Sequence, residues 1–169
     1  MMDEETVEKA CSQVAEYTDE DMVAEFDRFF KAQPAICEFI VELTHESGQK
    51  IQELSLFLSY MVFKTMEIAR SGATPTVTPE QIEAAYRDTE SWMEAVSQAD
   101  GAELQSSIAS SLQRDSEPHL LQYVIGELNQ QMEDGTNLSD EEKGEVFFVL
   151  KTVISSFMNE PKRRIIEID

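Results

Sequence analysis

The sequence predicts an all-α fold, a compact multi-helical domain of about seven or eight helices built as two related helical-hairpin halves. Three observations lead there. Apolar residues recur at helical spacing along most of the 169 residues. The 6 Gly and 5 Pro fall almost entirely between those striped segments. Two stretches, far apart in the chain, repeat the same proline-opened pattern. A short solenoid and a pseudo-twofold bundle both satisfy such a repeat.

Taken in order, a short acidic helix is expected over 4–17. Thr18-Asp19-Glu20-Asp21 then reads as a Thr cap with acids in the first turn, where the helix dipole favours negative charge. The next helix runs to Ala32 with Met22, Phe26, Phe29 and Phe30 at helical spacing. Pro34 sits where a first-turn proline belongs and opens a helix to about Glu46, striped by Ile36, Phe39, Ile40 and Leu43. Gly48 breaks it. From Gln49 to about Arg70 follows a helix apolar nearly all round, through Leu54, Leu56, Phe57, Leu58 and Tyr60 to Phe63, which other elements must cover.

Residues 71–78, rich in Thr and Pro, form the clearest linker. Thr78-Pro79-Glu80-Gln81 combines a capping box with a first-turn proline. Its helix carries Ile82, Tyr86, Met93 and Val96 on one face, with Trp92 beside it, and ends near Gly101. A Ser-rich helix over 102–113 leads to Pro118, which opens a striped helix to about Met132. Asp134-Gly135 turns the chain, and Ser139-Asp140-Glu141-Glu142 caps a last apolar helix to about Asn159. Pro161 stops it.

The repeat pairs Pro34-Ala-Ile-Cys-Glu-Phe-Ile-Val with Pro118-His-Leu-Leu-Gln-Tyr-Val-Ile, 84 residues later, and Val62-Phe-Lys-Thr-Met with Val149-Leu-Lys-Thr-Val, 87 residues later. The expected division is an N-terminal half over 1–73, a C-terminal half over 74–160 packed on it as one domain, and a tail over 161–169.

Charge excludes several function classes. With a formal net charge of −21 and a pI near 4.3, the surface repels nucleic-acid phosphates and anionic headgroups, so direct nucleic-acid and membrane binding are not expected. The start of the chain, Met1-Met2-Asp3-Glu4-Glu5, is acidic where a secretory signal is basic and then apolar. Cys11 and Cys37 are too few for a disulfide scaffold and lie in no metal-binding spacing. A cytoplasmic protein with reduced thiols is the expectation, and no cofactor is implied.

Candidate chemistry is sparse. Glu42 and His45 stand in the Glu-x-x-His spacing of di-iron bundles, but the chain offers no second such pair. On a helical wheel both lie opposite the Ile36/Ile40/Leu43 stripe, toward solvent. Cys37 and His45 on one helix would be about 12 Å apart along its axis, too far for a nucleophile–base pair. Residues 133–137 resemble a calcium loop, but the register that uses Gly135 puts Gln130 and Met132 at ligand positions. The tail gathers Arg163, Arg164, Ile165, Ile166 and Ile168, the composition of a docking strand or arm.

The function expected is therefore a non-enzymatic helical protein–protein interaction module, homodimeric or bound to another protein, using the groove between its halves or its tail. Two alternatives stand beside it: a metal-dependent or carboxylate-based hydrolase with dispersed ligands, and an acidic decoy of a nucleic-acid-binding protein.

Overall fold

Local capping fixes most helix starts. The computed structural model of the protein describes residues 3–72, 74–97, 117–130 and 135–158, the side chains of residues 96 and 97 excepted. Among them are seven helices: α1 (Glu4–Ala15), α2 (Asp19–Ala32), α3 (Pro34–Leu43), α4 (Gln49–Ala69), α5 (Pro79–Ser97), α6 (Pro118–Leu128) and α7 (Asp140–Met158). The all-α fold is thus observed, and the described residues contain no strand. No helix among them is long and apolar enough to cross a membrane.

The three anticipated caps at Thr18, Thr78 and Ser139 all form, each as a reciprocal capping box. The Asp21 amide donates to Thr18 Oγ1 (3.1 Å) while the Thr18 amide donates to Asp21 Oδ2 (2.9 Å). Thr78 and Gln81 exchange the same pair of bonds, as do Ser139 and Glu142. Each pair satisfies amides that a helix start would leave unmade.

Helix ends fall earlier than the apolar stripes suggest. α3 stops at Leu43 because the Thr44 hydroxyl donates to the Ile40 carbonyl (2.6 Å) and the Ser47 amide turns back to Thr44. Gly48 follows at φ 94°, a left-handed conformation that suits glycine. α6 closes at Leu128, where the Gln130 amide reaches only to Glu127. The expected helix over 102–113 lies outside the described residues.

The core is centred on α4 and α7, which pack on each other. α4 buries side chains on nearly every side, from Ile51 through Leu58–Phe63 to Met66, which explains its unbroken apolar run. Phe29 of α2 meets Phe63 (5.2 Å between centroids) and Tyr60 (6.0 Å), and Phe63 continues to Phe157 of α7 (6.5 Å).

The remaining contacts have a reciprocal pattern. α1 packs on α4 of its own half and on α6 of the other; α5 packs on α7 of its own half and on α3 of the other. A solenoid, which advances in one direction, would give one of these cross-contacts without its mirror. The exchange of both is the mark of a pseudo-twofold bundle. The symmetry is approximate, because α3 also packs on α7 without an equally extensive α4–α6 contact.

Side chains follow the same operation. Val7 and Ala10 of α1 are buried as are Ile82 and Ala85 of α5, 75 residues later, and both alanines are 0% exposed. Lys64 lies over the Tyr17 ring (5.5 Å) and Lys151 over the Trp92 ring (5.1 Å), which are again equivalent positions. The buried face of α5 differs from the expected one. It centres on Ile82, Ala85 and Thr89, not on Met93, because a small face lets α7 approach until Thr152 donates to Thr89 (3.0 Å).

Candidate functional site

Two grooves lie where the halves cross-pack, and the pseudo-twofold relates them. The first, about 460 Å³, runs between α3 and α5. Its floor is Ala35, Phe39, Ile82 and Tyr86, with the Phe39 and Tyr86 rings edge to face at 6.2 Å. Tyr86 is held in turn against Phe148 of α7 (5.4 Å). Glu38 and Glu42 rise on the α3 side and Glu83 on the α5 side, all three exposed. Helical spacing produces this rim: positions 38 and 42 are one turn apart, and 35, 39 and 42 share a face. Arg87 pairs with Glu83 at 2.5 Å, but both side chains are mostly in water, where such a pair contributes little.

The second groove, about 520 Å³, runs between α1 and α6. Glu8 occupies the place of Glu83, and Val7 that of Ile82. Elsewhere the chemistry diverges. His119 replaces Ala35, Gln122 replaces Glu38, Tyr123 replaces Phe39 and Cys11 replaces Tyr86. Cys11 hydrogen-bonds Tyr123, and burial pushes both groups up from their ordinary values, so neither ionises readily. Burial likewise raises Glu127 at the end of α6.

A third cluster joins α2 to α4. Arg28 forks onto Glu67 (2.6 and 2.7 Å) and also donates to Glu25 (2.8 Å), while the Tyr60 hydroxyl donates to Glu25 (2.6 Å). Burial works against the charge of Glu25, but hydrogen bonds from Arg28 and Tyr60 outweigh it and hold the carboxyl below its usual range. A carboxylate so satisfied is a structural anchor and a poor general acid. The second half cannot repeat the cluster, because Phe147 and Ile154 stand at the positions equivalent to Tyr60 and Glu67.

The residues singled out in the sequence disperse. Glu42 is on the α3/α5 rim, whereas His45, past the end of α3, opens onto a different hollow with Gln49 and Gln52. The i,i+3 geometry a metal would use is lost there. Among the described residues no three His, Cys, Asp or Glu side chains are grouped to hold a metal ion. Cys37 is buried in α3, and burial raises its thiol to about 12, far from a thiolate nucleophile at neutral pH. Arg163, Arg164, Ile165, Ile166 and Ile168 lie outside the described residues.

The sequence reading expected a groove between the halves but not which residues line it. Phe39 and Tyr86 were visible as striped positions, but nothing in the periodicity pairs helices more than forty residues apart. The chain matches no protein-family model, no curated protein and no solved structure.

Proposed function

We propose that the chain is a non-enzymatic helical module that binds another protein, and that the α3/α5 groove is where it does so. The observation that carries the reading is the pairing of an aromatic floor, Phe39 and Tyr86, with a three-carboxylate rim on two helices. The matching partner segment presents one or two bulky apolar side chains flanked by Lys or Arg, as in helix-in-groove recognition. Its apolar anchors cover Phe39, Ile82 and Tyr86, and its cations meet Glu38 and Glu42. The net charge of −21 steers such a basic segment toward the surface and repels a second copy of the chain, which favours a hetero-partner over a homodimer.

The test is capture from native lysate by the wild-type protein, by Phe39→Ala/Tyr86→Ala and by Glu38→Lys/Glu42→Lys. The wild type is expected to retain a protein carrying a basic, apolar-anchored segment, released at about 1 M salt, where the screening length falls to about 3 Å. Both variants should lose it. Capture that is indifferent to both variants, or no capture at all, contradicts the reading.

A further inference from the structure

The two walls of the α3/α5 groove are separated in the chain by the whole of α4. No short loop joins them, so their spacing must be fixed by other means. Part of it comes from α7: Tyr86 rests on Phe148, and Thr152 donates to Thr89, which holds the middle of α5. The start of α5, where Pro79 and Ile82 line the groove with Ala35, is held differently. Residues 74–78, which lead into it, belong to no helix.

Gln33, the residue before α3, holds that segment. Its side chain is 0% exposed and does not cap its own helix. The amide nitrogen donates to the Pro75 carbonyl (3.0 Å), and the amide oxygen accepts from the Val77 amide (2.8 Å). The Thr76 hydroxyl adds a bond to the Ala32 carbonyl (3.1 Å), and Val77 is buried at 3% exposure. Thr78, next in the chain, exchanges with Gln81 the bonds that open α5. A continuous series of hydrogen bonds therefore runs from the end of α2 and the start of α3 into the first turn of α5.

We propose that Gln33 is the positioning residue of the α3/α5 groove. It would touch no partner; it sets where Tyr86 stands relative to Phe39 by tying the start of α5 to the start of α3. Its consequence for recognition rests on the reading of that groove as the binding site, whereas its effect on the groove's geometry does not. The chemistry suits the task. A primary amide offers a donor and an acceptor side by side without a charge, so it satisfies a carbonyl and an amide at once in a buried place. An aliphatic side chain of equal size would leave the buried Val77 amide unmade, which costs more than the bond itself contributes. Walls that stand still before a partner arrives need less ordering on binding, and that raises affinity without adding a contact.

Distances between nitroxide labels test the geometry with no partner present. In a Cys11→Ser background, labels on Glu38→Cys/Glu83→Cys should give one narrow distribution across the groove. Gln33→Met keeps the volume but loses both bonds, and should broaden that distribution roughly twofold or more through local opening. A control pair on α4 and α7, Glu53→Cys/Glu141→Cys, should stay unchanged. Gln33→Glu separates bonding from shape: at pH 5 burial keeps its carboxyl protonated, with one donor and one acceptor, and the narrow distribution should return. Should Gln33→Met not fold, Thr76→Val at an exposed site removes the third bond and should broaden the same distribution by a smaller factor. A distribution as narrow as the wild type's in these bond-deleting variants overturns the proposal. So does a control pair that broadens with the groove, or a Gln33→Glu protein as broad at pH 5 as Gln33→Met. Capture from lysate by unlabelled Gln33→Met separates the two readings. Partner lost together with groove order is the expected result, and full capture by a loosened groove overturns the positioning role in recognition. No capture by the wild type, with the distances as expected, contradicts the binding reading alone.

Discussion

The α3/α5 and α1/α6 grooves are products of one packing solution and differ in what lines them. In both, an alanine at the centre of the outer helix lets it approach its neighbours, with a valine or isoleucine one turn before. An aromatic ring, Phe39 or Tyr123, lines each groove from the facing helix. The rims then part company: Glu38, Glu42 and Glu83 surround one groove, while His119, Gln122 and Glu8 border the other. Scaffold positions are held by close packing, which penalises any change of volume, whereas exposed rim positions are free to vary. The charge cluster of Glu25, Arg28, Glu67 and Tyr60 makes the same point, since it exists in one half only.

The largest expected effects test whether the halves are energetic equivalents. Ile36 and Leu120 occupy matching core positions at 0% and 1% exposure. Ile36→Ala and Leu120→Ala should each cost about 2–5 kcal/mol in urea unfolding. Costs that differ by more than about 2 kcal/mol would show that the equivalence is one of shape alone. A smaller effect is expected at the helix crossings. Ala10→Leu and Ala85→Leu should each destabilise by about 1–3 kcal/mol through overpacking, and a neutral result at either would mean that its helix can move outward.

Smaller still are two pH effects of opposite sign. The folded-state value of Glu25 lies below the ordinary 4.5, so its contribution is present above that pH and fades as pH falls through the lower folded value. Glu25→Gln should therefore destabilise more at pH 7 than at pH 3. The folded-state value of Glu127 lies above 4.5, so its ionisation opposes folding as pH rises. Glu127→Gln should stabilise at pH 7, with the gain vanishing at pH 3. Melting curves of the two variants at both pH values check the signs, and parallel behaviour would contradict them.

Much of the scaffold was legible in the sequence because its signals are local. Thr18, Thr78 and Ser139 announce their helices within four residues, and Pro34 and Pro118 fix two more starts. The unbroken apolar run of α4 correctly marked a central helix. What was illegible depends on distant partners. Thr89 carries no local sign of burial, yet it is buried with Thr152, 63 residues away, as a hydrogen-bond partner. Gln33 carries no local signal, and its role appears only when residues 75–77 fold back on it. Glu42 attracted notice through its spacing to His45, but the end of α3 at Leu43 separates the two, and its actual neighbours are Phe39, Ile82 and Tyr86.

The central claim is that recognition uses the α3/α5 groove and not its twin, and matched photo-crosslinking tests it most directly. Glu83 and Glu8 are both exposed acids at equivalent positions, each lining its own groove. A benzophenone amino acid replacing one or the other removes the same charge and samples the two surfaces in the native cell. Irradiation should give a discrete crosslinked protein from position 83 and none from position 8. Equal products from both positions, or a product from position 8 alone, would contradict the account.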